Sequence, residues 1–267
     1  MPGKASIPAQ AQGELIRPDA WMGEVLTVHS RAVNILRADG LVVSLVADLD
    51  SMTAMSVCVP GLFDEPHGEA AVGQPVTRNG QRIEIDKAAR VDLAGSWTWK
   101  GTIDDTILRG IPAARIAKVR EALLVHGHAE GLLGIFLPEK STQPLIEKAK
   151  KALRNKSLEA LVGLGPGLTP AGDDFLVGVL MALPRTPRSA SLEAALSGTT
   201  PSGRTLLWMA FRRSFPAYLV AFANSIARAE SNAAIDNAVC TACAHGETSG
   251  SDALAGFCWA RLRSSPE

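Results

Sequence analysis

The stretch from Gly163 to Leu183 (Gly-Leu-Gly-Pro-Gly-Leu-Thr-Pro-Ala-Gly-Asp-Asp-Phe-Leu-Val-Gly-Val-Leu-Met-Ala-Leu) limits what this chain can fold into more than any other. Gly and Pro alternate too densely between Gly163 and Pro170 for a helix or a central strand, so this part reads as a loop. From Phe175 to Leu183 nearly every residue is apolar. Phe175, Leu176, Val179, Leu180 and Leu183 share one helical face, and Val177 and Met181 widen it, which predicts a helix buried on most sides. Gly172, Asp173 and Asp174 fall where the loop meets the first helical turn, a place from which free backbone N–H groups point outward. Carboxylates there must bond those N–H groups, bind a cation, or receive N–H groups from a ligand.

A related stretch lies near the end of the chain, from His245 to Trp259. Gly172-Asp-Asp174-Phe-Leu-Val-Gly178 lines up with Gly250-Ser-Asp252-Ala-Leu-Ala-Gly256, and each copy follows a Thr-Pro or Thr-Ser pair, Thr169-Pro170 and Thr248-Ser249. Leu254, Phe257, Cys258 and Leu262 form the apolar stripe of the second helix. Two loop-then-buried-helix units facing each other would bring their Gly, Thr and Asp mouths into one pocket. The alternative is that Asp173, Asp174 and Asp252 simply cap their own helices, worth about 1 kcal/mol each.

Composition removes several classes of function. Net charge is zero and aromatic residues are 5 % of the chain, which argues against a nucleic-acid groove built from positive charge and stacking rings. No apolar run reaches the length of a membrane span. Met1 to Gly13 lacks the apolar core of a secretory signal and reads as a tail. Four cysteines in 267 residues suit a reducing cytoplasm better than a disulfide scaffold. Cys240-Thr-Ala-Cys243 is a lone CxxC without a second pair, and reads as buried thiols.

Residues 1–20 are therefore expected to be a disordered tail, 21–103 a β domain and 104–267 a helical domain. In the β part, Val25–His29, Ala32–Leu36, Leu41–Val46, Met55–Val59, Pro75–Thr77, Arg82–Ile85, Val91–Leu93 and Trp97–Trp99 alternate as strands do. Asp39-Gly40 and Asn79-Gly80 mark hairpin turns. Short strands at this spacing predict a small barrel or sandwich. Asn34 is the polar oddity in its strand, pointing outward, bonded to a bulge, or facing the pocket. In the helical part Asp104 and Asp105 read as a cap, and Ile116, Val119, Leu123 and Leu124 as a stripe ending at Gly127. Thr142 reads as the cap of the next helix and Pro184–Pro187 as a turn. Pro216 opens a helix carrying Leu219, Phe222 and Ile226. The fold class is α+β: an N-terminal antiparallel β-barrel-like domain followed by a C-terminal helical domain.

A glycine-rich helix N-terminus favours an anion. Two or three carboxylates in the same mouth oppose one, by about 4 kcal/mol per close pair at an effective dielectric near 20. A ligand carrying both kinds of group resolves the conflict. Its amide N–H groups would bond the Asp side chains, and its phosphate or carboxylate the N–H groups of Gly165–Gly172 and Thr248–Gly250. A divalent cation between Asp173, Asp174 and a phosphate is the other way out; no motif calls for a cofactor. The candidate catalytic groups are Asp173, Asp174, Asp252 and His245, the last either an acid–base group or a His closing a helix C-terminus. The candidate binding residues are Asn34, Gly165, Gly167, Thr169, Gly172, Thr248, Ser249 and Gly250. His126 and His128 read as structural, and Arg31 and Arg204 as anion clamps or surface charges.

The two Gly–Asp segments, Thr199-Thr-Pro-Ser202 between them and the N-terminal stretch Val28-His-Ser-Arg-Ala-Val-Asn-Ile35 resemble the AllH-type proteins, over about residues 20–263. That family was long catalogued as a domain of unknown function. The resemblance implies a subunit of an oxamate carbamoyltransferase of allantoin breakdown, moving a carbamoyl group between oxalurate and phosphate to give oxamate and carbamoyl phosphate. It implies a small-molecule substrate, phosphate, and other carbamoyltransferase subunits or a homo-oligomer as partners; the composition points to no nucleic acid and no membrane. Glu247 departs from the pattern, which leads one to expect a small residue there. Two other readings compete. One is a non-catalytic ligand-binding or structural subunit whose glycines only permit tight packing. The other is a ribokinase-like small-molecule kinase, whose Gly-Ala-Gly-Asp anion hole Gly250–Gly256 resembles, but which needs βαβ units upstream.

Overall fold

The computed structural model describes residues 6–64, 70–137, 143–183 and 190–263. The chain divides into two compact units, one ending at Gly101 and the other starting at Thr102.

Among the described residues unit 1 is a single sheet of ten strands: β1 (Ser6–Pro8), β2 (Ala11–Gly13), β3 (Trp21–His29), β4 (Ala32–Arg37), β5 (Val42–Val46), β6 (Ser56–Cys58), β7 (Pro75–Asn79), β8 (Arg82–Ile85), β9 (Ala89–Asp92) and β10 (Trp97–Trp99). Their order is β1-β9-β8-β7-β3-β4-β5-β6-β2-β10. β1 and β2 are consecutive in the chain yet lie near opposite ends of this order. Laid flat, eight strand spacings would separate them by about 38 Å, whereas the two residues between them span about 11 Å at most. The sheet therefore curls back on itself. Val25, Val33, Ile35, Val43, Leu45, Ile83, Ile85 and Val91 are buried within it. Asp39-Gly40 and Asn79-Gly80 turn the β4–β5 and β7–β8 hairpins, with both glycines at positive φ.

Two expectations need correction here. The tail expected over residues 1–20 is ordered in part. Residues 1–5 lie outside the described residues, but β1 pairs β9 and β2 pairs both β6 and β10, while Ala11 and Ile16 are buried. The sheet is also mixed rather than antiparallel throughout, because β1/β9, β5/β6 and β2/β10 run parallel.

Unit 2 is helical: α1 (Asp105–Arg109), α2 (Ala113–His126), α3 (Pro144–Arg154), α4 (Ala171–Ala182), α5 (Ala190–Ala195), α6 (Pro201–Ala210), α7 (Ala217–Arg228), α8 (Asn232–Cys243) and α9 (Ser249–Arg263). Asp104 caps α1, its carboxylate accepting from the Thr106 N–H. Leu132–Phe136 is a 3₁₀ turn. In α2 the buried stripe is Ile116, Val119 and Leu123; Leu124 points to solvent. The expected cap Thr142 and turn Pro184–Pro187 lie outside the described residues. No helix among the described residues is long and apolar enough to cross a membrane.

The centre of unit 2 is the pair α4 and α9. Every residue of α4 is buried, as its apolar sequence predicts. The two helices touch main chain to main chain. A Cβ at Gly178 would come within 1.8 Å of the Ala253 carbonyl oxygen, and one at Gly256 within 1.9 Å of the Phe175 carbonyl oxygen. In the alignment of the two copies, Gly178 matches Gly256 and Phe175 matches Ala253. The contact is thus reciprocal, each copy's glycine meeting the same position of the other.

Candidate functional site

The loop before α4 follows from its glycines. Gly163, Gly165 and Gly167 have φ of 71°, 114° and 99°, values that favour a residue without a Cβ. This route lets the loop fold back over the start of α4. The Gly172 N–H donates to the Leu164 carbonyl (2.8 Å), and the Asp173 and Asp174 N–H groups to the Pro170 carbonyl (2.8 and 3.2 Å). In the second copy the Gly250 N–H donates to the His245 carbonyl (3.1 Å) and the Asp252 N–H to the Thr248 carbonyl (2.9 Å). At Gly172 and Gly250 the expected free donors are therefore taken by the loops' own carbonyls. The anion-cradling geometry read from the sequence is not formed by these two N–H groups.

The three aspartates are all buried, and they do different work. Asp173 accepts from the Gly163 N–H at 2.8 Å through one oxygen and from the Thr199 hydroxyl through the other. Burial raises its pKa, and those two bonds oppose the rise. It ties the glycine loop to the Thr199 segment. Asp252 accepts the Leu132 N–H at 2.5 Å through Oδ1, and its Oδ2 is buried with no partner among the described residues. Burial pushes its carboxyl up to about 6, against the Leu132 N–H, the Thr248 hydroxyl and the charge of nearby His128. Asp174 Oδ2 is likewise buried with no partner among the described residues. Burial pushes its carboxyl well above the usual range. The Ser249 and Thr169 hydroxyls pull it down, while the charges of Asp252 and Asp173 add to the rise. The Thr169 and Ser249 hydroxyls lie 3.2 Å apart and bridge the two loops.

Asp174, Asp252, Thr169, Thr248 and Ser249 are thus brought together at the junction of the two copies. His245 follows the end of α8, and its ring stacks on Tyr218 of α7 with centroids 4.0 Å apart and 15° between planes. Tyr218 is the residue that sequence reasoning missed. Burial, then the charges of Asp174 and Asp252, push its phenol well above its usual value, which puts Tyr218 within electrostatic reach of both carboxyls. It is the single tyrosine of the chain, but it falls off the Leu219–Phe222–Ile226 stripe and belongs to no motif.

The remaining candidates lie elsewhere or are engaged. Asn34, in unit 1, donates to the Thr27 hydroxyl at 2.8 Å and accepts from the Ser44 hydroxyl at 2.7 Å. It braces β4 against its neighbours beside the register shift between Val25 and Thr27. Arg31 pairs with Asp48 at 2.7 Å, and Arg204 donates to the Leu196 carbonyl. The His128 N–H donates to Ser251 Oγ at 2.9 Å, and His126 Nε2 lies 3.0 Å from Asp236. Cys243 is a buried thiol as expected, but Cys240 is exposed. Among the described residues no group of three or more His, Cys, Asp or Glu is arranged to hold a metal ion. A cavity of about 280 Å³ runs beside α4, lined by Leu176, Val179, Leu183, Leu192 and Phe211 among others; it does not include Asp174 or Asp252.

A repeated loop-and-buried-helix unit, with a first-turn carboxyl in each copy facing a shared junction, defines the helical unit. Residues 161–261 match the family model described as oxamate carbamoyltransferase subunit AllH, the family that the two Gly–Asp segments resemble. The match begins just ahead of the first glycine loop and ends within α9, so it covers both copies. Comparison with curated proteins and with solved structures gave no match.

Proposed function

We propose that this chain is a subunit of an oxamate carbamoyltransferase-like enzyme. It binds a small carbamoyl or amide–carboxylate compound together with phosphate at the junction of the two copies. The observation that carries this reading is the pair of buried carboxyl groups, Asp174 and Asp252, each with one oxygen lacking a partner among the described residues. Buried polar atoms are ordinarily hydrogen-bonded. An amide or carbamoyl NH₂ supplies two donors and a carbonyl acceptor, a set that two neighbouring carboxyls of different protonation can satisfy.

The movement of protons supports the same reading. When a phosphate oxygen attacks the carbamoyl carbon of oxalurate, a C–O bond forms and the C–N bond to the departing oxamate breaks. The oxamate nitrogen then takes a proton. Asp252, titrating at about 6, is suited to give that proton and to take it back in the reverse direction, because the most effective acid–base groups titrate near the working pH. Asp174, held protonated more firmly, donates to the substrate carbonyl oxygen, a role open to a carboxylic acid kept neutral by burial. Asp173 shapes the loop, and His245 orients Tyr218 from behind.

The second reading, a non-catalytic subunit, has one observation of its own. A Cβ at Gly131 would strike the Asp252 carboxyl at 2.2 Å and one at Gly203 the Asp173 carboxyl at 2.1 Å, so carboxyls here also serve as packing pins. Thermal melts with phosphate, carbamoyl phosphate, oxamate, oxalurate, and ATP with and without Mg²⁺ separate the readings, since a ligand of the folded state raises the melting temperature. Carbamoyl phosphate or oxamate should stabilise the chain. Asp174→Asn and Asp252→Asn, near-isosteric with the neutral acids, should stay folded and lose that response. Stabilisation that persists in both variants would leave only the packing role, and a response to ATP alone would favour the kinase.

A further inference from the structure

Unit 1 holds a cluster of unpartnered donors that the proposed reaction does not use. Trp21 opens β3, Arg78 lies directly opposite it on β7, and Arg37 lies opposite Gly23 at the end of β4. Directly opposed residues share a face of a sheet, as do residues two apart on one strand. Trp21, Arg78 and Arg37 therefore line one face at one end of the curled sheet. It is the inner face, since Arg78 shares it with the buried Val76.

Arg78 is 2 % exposed. Its Nε donates to the Gly80 carbonyl at 3.1 Å, and its Nη1 is buried with no partner among the described residues. Arg37 lies over the Trp21 ring, 5.6 Å from the centroid, and pairs through Nη2 with Asp39. Its Nε and the Trp21 indole Nε1 are likewise buried without partners. Three N–H donors on adjacent strands, two of them on cations, thus go unanswered among the described residues. The local charge is uneven too. Burial and then the charge of Arg37 both weaken Arg78's hold on its proton, and Asp19 only partly offsets them. Neutral water could satisfy the donors but would leave the buried charge of Arg78 answered only in part, by Asp19, since Asp39 already pairs with Arg37. A planar or tetrahedral oxyanion answers both needs, because guanidinium forks and an indole N–H match its oxygens.

We infer that the inner face of the unit 1 sheet, at Trp21, Arg37 and Arg78, is a binding site for a small oxyanion, either a phosphate or a carboxylate. The inference stands apart from the carbamoyl-transfer reading, which uses residues of unit 2 alone.

The test uses the full chain with its indole nitrogens labelled with ¹⁵N. Trp21→Phe identifies the Trp21 signal among the five tryptophans. Titration with inorganic phosphate, with acetate, and with sodium chloride at matched ionic strength then separates the anion sources. The Trp21 indole should shift saturably with phosphate or with acetate, and whichever binds more tightly names the class. Arg78→Gln should weaken that binding at least tenfold, while Asp252→Asn should leave it unchanged. If Arg78→Gln does not fold, Arg37→Gln takes its place with the same expected loss. An indole signal that stays fixed with both oxyanions, or that moves equally with chloride, overturns the proposal. Binding retained at full strength in the arginine variant overturns it as well.

Discussion

Where the first copy of the loop-and-helix unit carries Asp173, the second carries Ser251, and the two side chains tie down different parts of the chain. Asp173 uses both oxygens, on the Gly163 N–H and the Thr199 hydroxyl. Ser251 uses its hydroxyl to accept the His128 N–H. One position further on the copies agree, since Asp174 and Asp252 each keep a buried oxygen without a partner among the described residues. In the first copy a separate residue clamps the loop, which frees Asp174 of that task. In the second copy Asp252 both clamps, through Leu132, and keeps an oxygen in reserve. A repeat can thus preserve its packing while its polar positions diverge in duty, and the positions that stay alike are where shared chemistry is to be sought.

The packing half of the comparison predicts the largest effect. Gly178→Val and Gly256→Val should both cost more than the ~1–3 kcal/mol usual for an overfilled core, because the clash is with main chain rather than with a side chain that can swing away. Chemical denaturation would measure it. The reciprocal contact demands losses of similar size at the two sites, and a marked asymmetry would break the equivalence of the copies.

A second prediction concerns the proton held at Asp252. Its carboxyl titrates at about 6 in the fold, against 3.8 as the ordinary value. Between those values the folded chain binds more protons than the unfolded one. The contribution to stability is therefore fully present below about pH 4 and is lost as pH rises through about 6. Each tenfold change in proton affinity is worth about 1.4 kcal/mol, so the loss is on the order of 3 kcal/mol. Asp252→Asn should flatten the fall in stability between pH 4 and pH 7. A fall of undiminished slope in that variant would assign the proton elsewhere, Asp174 being the next candidate because burial raises its carboxyl too.

The residues differ in how far they could be read without coordinates. The hairpins at Asp39-Gly40 and Asn79-Gly80 and the buried helix α4 were legible because turn chemistry and apolar period are local. The placement of Asp173, Asp174 and Asp252 in first turns was legible for the same reason. β1 and β2 were not, since three-residue strands carry almost no period and find their partners about 45 to 85 residues away in the chain. The occupied N–H groups of Gly172 and Gly250 depend on how each loop folds back, through Leu164 in one copy and His245 in the other. Tyr218 comes within electrostatic reach of Asp174 and Asp252 from α7, a helix whose apolar stripe gives no sign of it. The family match over residues 161–261 spans the locally legible part, the two glycine-and-aspartate segments.

The smallest expected effect sharpens the division of duty itself. Asp173→Ser gives the first copy the residue that the second already has. A serine hydroxyl is shorter than a carboxylate and offers one oxygen in place of two, so it cannot serve the Gly163 N–H and the Thr199 hydroxyl together. One hydrogen bond to a buried acceptor is lost and one donor is left unanswered, which should cost about 2 kcal/mol. The fold should survive, because α4 and α9 meet through Gly178 and Gly256 rather than through residue 173. Ligand stabilisation measured in the same variant then separates clamp from chemistry. If Asp173 only holds the loop, the response to carbamoyl phosphate or oxamate should weaken in proportion to the loosened loop and be restored by Asp173→Asn, which keeps one acceptor and the side-chain length. If Asp173 touches the ligand, asparagine should rescue stability without rescuing the response.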